Sequence, residues 1–251
     1  MIEKPALITF ITTGDPNLKA TLEFMFALEK YADVIELGIP FSDPMADGKA
    51  IQKANYRALK SGTKVRDVFE LVKEFREHSE KPVVLMTYYN PVYRFGVENF
   101  VLKAKNSGVE GLIIVDLPVD EASEYVEICK KVGMGTIFLA APNTTNERLR
   151  KIDRMSTAFV YLISLYGTTG SREKLSEKAF ELISRAKKIC RNPVAVGFGV
   201  SKPEHVSQLI KAGADGVVVG SALVNVIEKF GENAAEELEK LVKSLRRGLD
   251  L

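Results

Sequence analysis

The sequence is poor in the side chains that most often bind metals or form cross-links. It has 251 residues but only two cysteines and two histidines. Cys129 and Cys190 form no C-x-x-C pattern, so they indicate neither a disulfide framework nor a zinc site. Neither His78 nor His205 has a second histidine or a cysteine at ligand spacing. The sequence therefore predicts no metal site and argues against a Ser-His-Asp triad.

A long apolar run and an excess of one charge are also missing. No apolar run reaches the roughly 18 residues that a membrane helix needs, and the run at 6–11 is too brief for the core of a signal peptide. Lys and Arg total 35 against 33 Asp and Glu, and the two signs are interspersed. This is not the pattern of a surface that binds nucleic acid or anionic membranes. We therefore expect a cytoplasmic protein with no nucleic-acid or membrane partner.

What the sequence does contain is a repeated unit of strand and helix. Apolar runs, each followed by a turn and a helical pattern, lie at 7–12, 34–37, 83–86, 111–115, 136–139, 159–163, 194–196 and 216–219. Because they do not alternate with polar residues, they are typical of parallel strands covered on both faces. Eight units of about 31 residues favour a single (β/α)8 TIM barrel with extra helices over 1–251, with an open doubly wound sheet as the alternative. We expect 231–248 to form a C-terminal helix packed on the barrel.

One carboxylate lies at the end of the second strand and another in the loop after it, where barrels of this type place their active sites. Glu36 is surrounded by apolar residues. If it points into the barrel mouth, loss of hydration raises its pKa and makes it a proton donor near neutral pH. The alternative is a structural pair with a basic residue at the rim. Asp47 precedes Gly48 and a helical stretch, so it is either a site residue or a helix cap.

Glycines follow the seventh and eighth strands. Gly199 lies in the first of these loops, and Gly220 precedes Ser221 where a helix begins. Loops at these two places hold phosphate in many barrels, because glycines and helix amides let the backbone approach an anion. Neither a G-x-G-x-x-G nor a Walker A pattern occurs, so the sequence predicts a phosphate site rather than a nucleotide site. The glycine-flanked stretch 164–173, after the sixth strand, is either a lid over the ligand or a solvated connection.

Apolar and aromatic side chains near the strand ends predict a flat hydrophobic pocket, although core packing is the alternative for each. They are Phe10, Ile113, Leu139, Tyr161 and Phe198. The loop predicted at 88–93, after the third strand, is rich in tyrosine. Exposed aromatic side chains there would suit a protein interface.

These motifs together resemble the tryptophan synthase α subunit family. They are ELGIPFSDP at 36–44, ADG at 46–48, YGTTG at 166–170, GFGVS at 197–201 and GSA at 220–222. The first two form a highly specific block, and the resemblance spans nearly the whole chain. Lys49, where many bacterial relatives carry proline, and Leu165-Tyr166, where Arg-Ser is common, depart from the bacterial pattern and fit an archaeal-like variant.

The resemblance implies cleavage of indole-3-glycerol phosphate to indole and glyceraldehyde 3-phosphate, a lyase reaction without a cofactor or metal in this subunit. Glu36 matches the family's catalytic glutamate, and Asp47 matches its catalytic aspartate. Thr169 matches a lid threonine that meets the loop aspartate on closure. The indole pocket maps onto the five residues at the strand ends. The phosphate site maps onto Gly170, Gly199, Gly220 and Ser221.

The resemblance also implies an α2β2 complex in which indole passes to a β subunit that carries pyridoxal phosphate. The loops after strands two, three and six would face that partner. Two other functions compete. A different phosphate-binding barrel enzyme explains the glycines but not the block from 36 to 48, and an enzyme that forms the indole ring needs a strand-end lysine that we cannot place. A subunit that only activates a partner would not need both carboxylates.

Overall fold

The computed structural model describes residues 4–164 and 177–250, which contain a closed barrel of eight parallel strands in chain order. Pairing of the first strand with the eighth closes the ring and excludes the open sheet. The strands are β1 (Ala6–Thr12), β2 (Val34–Gly38), β3 (Val83–Thr87), β4 (Gly111–Ile114), β5 (Gly135–Ala140), β6 (Phe159–Ile163), β7 (Val194–Gly197) and β8 (Gly216–Val219). Each predicted strand is confirmed to within about one residue at either end.

Helices connect the strands and cover the barrel. They are α1 (Leu18–Glu29), α2 (Lys49–Lys60), α3 (Val65–Arg76), α4 (Tyr89–Phe95), α5 (Val97–Asn106), α6 (Ser123–Lys131), α7 (Asn146–Met155), α8 (Glu177–Ile189), α9 (Pro203–Lys211) and α10 (Ser221–Phe230). In α1 the cap residue Asn17 accepts a hydrogen bond from the Ala20 amide at 2.8 Å, which satisfies a free donor of the first turn. Within residues 4–164 and 177–250, none of the helices has the length and hydropathy that a membrane crossing requires.

The strands carry two separate layers of apolar side chains, because successive residues of a strand point to opposite faces. On β2, Val34 packs inside the barrel, whereas Ile35 and Leu37 pack beneath the helices. The interior cluster consists of Ile8, Val34, Val84, Ile113, Ile137, Phe159, Tyr161, Ala195 and Val218. Glu36 stands two residues after Val34 and therefore points into the barrel.

The C-terminal segment differs from the single helix predicted over 231–248. It consists of a 3-10 turn (Gly231–Ala234), α11 (Ala235–Arg246) and a second 3-10 turn (Arg247–Leu249). The α-helix begins only where apolar residues recur at helical spacing, and Leu238, Val242 and Leu245 join the same core cluster as the outer face of the barrel. This segment packs against α1 through α11.

An ion pair fixes the end of α11 to the amino-terminal end of the barrel. Arg246 donates to the carboxylate of Asp33, which also accepts a hydrogen bond from the Leu7 amide of β1 at 2.7 Å. The pair therefore joins the last helix to the first two strands, at the face opposite the loops that follow the strands.

Candidate active site

A pocket of about 490 Å³ opens at the carboxyl-terminal ends of the strands. Its lining combines an acid, Glu36, with the aromatic side chains of Phe10 and Tyr161 and with the first residues of α10. This is the face of the barrel on which the loops after the strands assemble. A carboxyl group, flat apolar surfaces and helix amides therefore converge in one small space.

Glu36 is fully buried, and among the residues that the structure describes neither of its carboxylate oxygens has a hydrogen-bond partner. Across residues 4–164 and 177–250 no basic side chain forms a salt bridge with Glu36. The alternative that Glu36 pairs with a basic residue at the rim therefore has no support in these ranges. Burial and, to a smaller extent, the charge of Asp47 raise the pKa of Glu36 to about 8. An unpaired buried carboxyl is costly to stability, so a functional reason for its presence is favoured.

Asp47 lies in the loop between β2 and α2 and is 8% exposed. The α2 N-cap is Gly48 and receives no side-chain hydrogen bond, so the carboxylate of Asp47 is not a helix cap. Burial raises the pKa of Asp47 to about 6, although the Tyr88 hydroxyl lowers it. The Gln52 side-chain amide donates to the backbone oxygen of Asp47 at 2.8 Å, and the Ala46 amide donates to the Tyr88 hydroxyl at 3.0 Å. The loop that carries Asp47 is thus held on two sides.

The two carboxyl groups differ in their protonation at neutral pH. With pKa values of about 8 and about 6, Glu36 is mostly neutral at pH 7 while Asp47 is mostly ionised. Two carboxyl groups whose environments separate their pKa values are typical of an acid and an electrostatic partner in one site. In the described ranges, no group of three or more His, Cys, Asp or Glu side chains is arranged to hold a metal ion.

The start of α10 offers an anion site in the same pocket. Ser221 and Ala222 line the pocket, and the first turn of α10 contains no acidic side chain that would neutralise its positive end. Gly199 adopts a φ of 66°, which glycine tolerates without strain and which turns the chain after β7 at the pocket wall. Helix amides and a close backbone turn together suit a phosphate group. Gly220 also lines the pocket.

Four of the five side chains predicted for the hydrophobic pocket point into the barrel. Phe10 and Tyr161 line the pocket directly. Ile113 belongs to the interior cluster and is fully buried, and Leu139 packs against the same cluster. Leu139 also lines a neighbouring cavity of about 580 Å³ beside the ends of β4 and β5.

Phe198 is placed differently from the prediction. It follows Gly197, which faces the interior at the end of β7, so the alternation of the strand turns Phe198 into the layer beneath the helices. A side chain at Gly197 would place its Cβ 2.8 Å from the Tyr161 hydroxyl oxygen. The absence of a side chain at Gly197 therefore makes room for Tyr161 in the pocket.

Several residues that line the pocket were not among the predicted site residues, and Met86 and Ile51 supply its further apolar side chains from β3 and α2. Met86 comes from β3, and its interior position follows from alternation with Val84, a signal that the sequence contained. Ile51 comes from α2 and reaches the pocket only through the packing of that helix. No pattern in the sequence indicates how α2 is oriented, so Ile51 could not have been found in advance.

The stretch 88–93 is not an exposed loop. Tyr88 is buried beside Asp47, and α4 begins at the next residue. Tyr93 is 66% exposed, and Met45 in the neighbouring loop is 89% exposed. The expectation of exposed aromatic side chains is therefore wrong for Tyr88 and correct for Tyr93.

Four of the predictions from the sequence lie outside the described residues, and one of them is the lid or connection at 164–173, of which only Ser164 is described. The other three are more specific. They concern the lid threonine Thr169, the phosphate-site residue Gly170 and the departure at Leu165-Tyr166.

The fold and the pocket define a (β/α)8 barrel protein with the features of a phosphate-binding enzyme. The family model described as "Tryptophan synthase alpha chain" matches residues 2–249. The chain belongs to the tryptophan synthase alpha chain family.

Three similar archaeal proteins match over nearly their full length. The tryptophan synthase alpha chain of Pyrococcus abyssi is 60% identical over 245 residues, which cover 98% of this chain and 99% of that protein. The alpha chain of Methanococcus vannielii is 56% identical over 251 residues, with coverage of 99% and 97%. A solved structure of the tryptophan synthase α2β2 complex from Pyrococcus furiosus contains a chain with a TM-score of 0.95 and 60% identity, covering 98% of this chain and 99% of that one.

Proposed function

We propose that this chain catalyses the α reaction of tryptophan synthase, the retro-aldol cleavage of indole-3-glycerol phosphate to indole and glyceraldehyde 3-phosphate. The observation that carries the proposal is the carboxyl group of Glu36, which is fully buried and has no hydrogen-bond partner in the described part of the chain, in a pocket that also contains the start of α10. The substrate has an indole ring that must be protonated and a phosphate that must be held. The pocket offers a proton donor for the first and helix amides for the second.

Glu36 is the general acid. Cleavage breaks the bond between the indole ring and the glycerol chain, and protonation of the ring carbon allows the ring to leave with the electron pair of that bond. Glu36 is mostly neutral at pH 7 and is therefore able to give this proton. The carboxylate that remains accepts the proton of the side-chain hydroxyl as the aldehyde forms. Protons and electrons balance without a cofactor in this subunit.

Asp47 stabilises the charged intermediate. Protonation of the ring carbon makes the ring nitrogen positive, and an ionised carboxylate accepts a charge-assisted hydrogen bond from its N–H. Asp47 is mostly ionised at pH 7 and interacts electrostatically with Glu36. The split in protonation between the two carboxyl groups therefore matches their two roles.

The rest of the pocket binds the two ends of the substrate. Gly199, Gly220 and Ser221 hold the phosphate, together with Gly170 from the stretch that follows β6. Thr169 of the same stretch is the lid threonine that would meet Asp47. The indole ring lies among Phe10, Ile113, Leu139 and Tyr161. Phe198 packs in the layer between the barrel and the helices.

The partner is a β subunit that carries pyridoxal phosphate and receives the indole. The α2β2 assembly in the name of the Pyrococcus furiosus structure supports this proposal. The exposed side chains of Met45 and Tyr93, in the segments after β2 and β3, are suited to face the partner. The pathway is biosynthetic and the protein acts in the cytoplasm.

An assay of indole release tests the proposed reaction. The purified chain is expected to release indole from indole-3-glycerol phosphate slowly alone and faster when a β subunit is added. Each indole should be matched by one glyceraldehyde 3-phosphate. Failure to release indole with and without the β subunit would reject the proposed reaction and leave a different phosphate-binding barrel enzyme as the better explanation.

The rate should depend on pH in a bell-shaped manner. Activity needs Asp47 ionised and Glu36 protonated, so kcat/KM should rise through about pH 6 and fall through about pH 8. Because the two carboxyl groups interact, the apparent pKa values of the two limbs belong to the pair and not to one residue each. Measurement of kcat/KM from pH 4.5 to 9.5 at constant ionic strength checks this expectation, and a rate that does not fall above pH 8 would contradict a carboxylic acid as the donor.

Glycerol phosphate should protect the protein against thermal unfolding. A ligand that binds only the folded state at about a hundred times its Kd contributes about 2.7 kcal/mol, which corresponds to a rise of several degrees in Tm for a chain of this length. Glycerol at the same concentration is the control, because it lacks the anion that α10 would bind. Equal shifts with the two compounds would count against the phosphate site.

A further inference from the structure

Helix α2 connects the two ends of the pocket. It starts directly after the loop that carries Asp47, and it packs alongside α10. Ile51 and Ala54 of α2 form a small apolar cluster with Phe10 of β1 and Val224 of α10. A shift of α2 along α10 would therefore change the separation between the Asp47 carboxylate and the amides at the start of α10.

A single guanidinium group on α2 ties three segments together. The Nε and Nη2 atoms of Arg57 donate to the two carboxylate oxygens of Asp15 at 2.7 and 2.8 Å. The Nη1 atom lies 3.7 Å from Oε1 of Glu228 on α10, and Lys53 bonds the same oxygen at 2.9 Å. Because the bond to Asp15 is bidentate, it fixes the direction of the arginine as well as its distance.

Asp15 is a fixed anchor for this arginine. It is 1% exposed and lies in the loop between β1 and α1. The neighbouring Gly14 donates its amide to the Thr21 hydroxyl at 2.9 Å and accepts a hydrogen bond from the Ser61 hydroxyl at 3.0 Å. The loop is thus held by α1 on one side and by the residue that follows α2 on the other, so Arg57 is attached to an immobilised group.

The same helix is also attached to the loop that carries Asp47. The Asn55 side-chain oxygen accepts a hydrogen bond from the Phe41 amide at 2.8 Å, and the Gln52 side chain donates to the Asp47 backbone oxygen at 2.8 Å. The two side chains that form these bonds lie within two helical turns of Arg57 on α2. A continuous set of hydrogen bonds therefore runs from Asp15 through α2 to the loop of Asp47.

We propose that Arg57 is a positioning residue for the cleavage reaction. By joining α2 to the β1 loop through Asp15 and to α10 through Glu228, it sets the distance between the Asp47 carboxylate and the phosphate-binding end of α10. The inference rests on the proposed function, since that distance matters only for a ligand that has both an indole ring and a phosphate.

The variant Arg57→Met tests this role. We expect kcat to fall at least tenfold per folded molecule, while the Kd of glycerol phosphate, which contacts only the α10 end, stays within about twofold. Arg57→Lys keeps the charge and one hydrogen bond and should recover part of the rate. If Arg57→Met does not fold, Asp15→Asn removes the charge of the anchor instead. This variant should likewise lower kcat and leave the Kd of glycerol phosphate within about twofold.

Arg246→Met is the matched control. Arg246 forms a comparable ion pair with Asp33, but at the opposite face of the barrel. Arg246→Met should lower the Tm while leaving kcat per folded molecule unchanged. Equal losses of kcat in Arg57→Met and Arg246→Met, or an unchanged kcat in Arg57→Met, would overturn the positioning role.

A binding experiment separates this inference from the proposed reaction. The probe is an uncleavable analogue in which a saturated three-carbon chain joins indole to phosphate, measured by calorimetry against glycerol phosphate. Arg57→Met should weaken the analogue at least fivefold and leave glycerol phosphate unaffected, and this result supports the positioning role even if the unaltered chain releases no indole. Equal binding of the analogue by Arg57→Met and the unaltered chain overturns the positioning role alone. A chain that neither releases indole nor binds the analogue overturns the proposed function and the positioning role with it.

Discussion

Glu36→Gln is expected to lower kcat for indole release by about 10²–10⁴-fold, the contribution typical of a general acid. Glutamine has nearly the same shape as glutamic acid but has no proton to give to the ring carbon. The substrate should still bind, since the phosphate site and the apolar walls are untouched. Measurement of kcat and KM for indole release checks the result, and Glu74→Gln, at an exposed position of α3, is the matched control. Equal turnover by Glu36→Gln and the unaltered chain would contradict the assignment.

The same variant should change how stability depends on pH. The folded-state pKa of Glu36 is about 8 and its ordinary value is 4.5, so above pH 4.5 the unfolded chain loses a proton that the folded chain retains. The contribution of Glu36 to stability is therefore fully present below pH 4.5 and is lost as pH rises to about 8. Glutamine does not ionise, so the stability of Glu36→Gln does not fall in this way. The Tm of the variant relative to that of the unaltered chain should therefore rise between pH 5 and pH 8. A constant difference in Tm across that range would show that Glu36 is not buried as a neutral acid.

Asp47→Asn is expected to lower kcat/KM about a hundredfold, because the positive ring nitrogen would lose its ionised partner. The rise in activity through about pH 6 should disappear, since that limb reports the ionisation of Asp47. The fall at high pH should move to lower pH, because the charge of Asp47 contributes to the raised pKa of Glu36. The full pH profile of the variant measures both effects.

Tyr88→Phe is the matched comparison for Asp47→Asn. The Tyr88 hydroxyl lowers the pKa of Asp47, so its removal should move the acid limb of the profile to higher pH and leave the maximum rate much less affected. If Asp47→Asn retains the full rate, another group must compensate the charge on the ring nitrogen.

The strands and the direction of Glu36 could be predicted because they follow from local patterns. Continuous apolar runs indicate strands buried on both faces, and the period of two residues places Glu36 on the same side as Val34. The same period assigns Phe198 to the outer layer, because Gly197 takes the interior position at the end of β7. The prediction of Phe198 as a pocket residue followed proximity to the strand end instead of this alternation.

Other features depend on tertiary packing and carry no local signal. The contact of Ile51 with the pocket and the bond between Arg57 and Asp15 both require the orientation of α2 on the barrel. The composition after β3 predicted an exposed loop rich in tyrosine. In the structure Tyr88 is instead buried against Asp47, and α4 begins at the next residue. The polar residues after α10 look compatible with a helix but form a 3-10 turn, because α11 begins only where its apolar spacing begins.

The pairing of β1 with β8 has a consequence for how this protein is made. During synthesis the first strand leaves the ribosome early, but the strand that covers its second edge ends at residue 219 and the arginine that reaches Asp33 is residue 246. Until then, β1 presents backbone donors and acceptors that any passing extended segment is able to pair with. The nascent chain is therefore able to mispair for most of its translation. A stop codon that removes only the last few residues would also remove the ion pair between Arg246 and Asp33 at the amino-terminal strands.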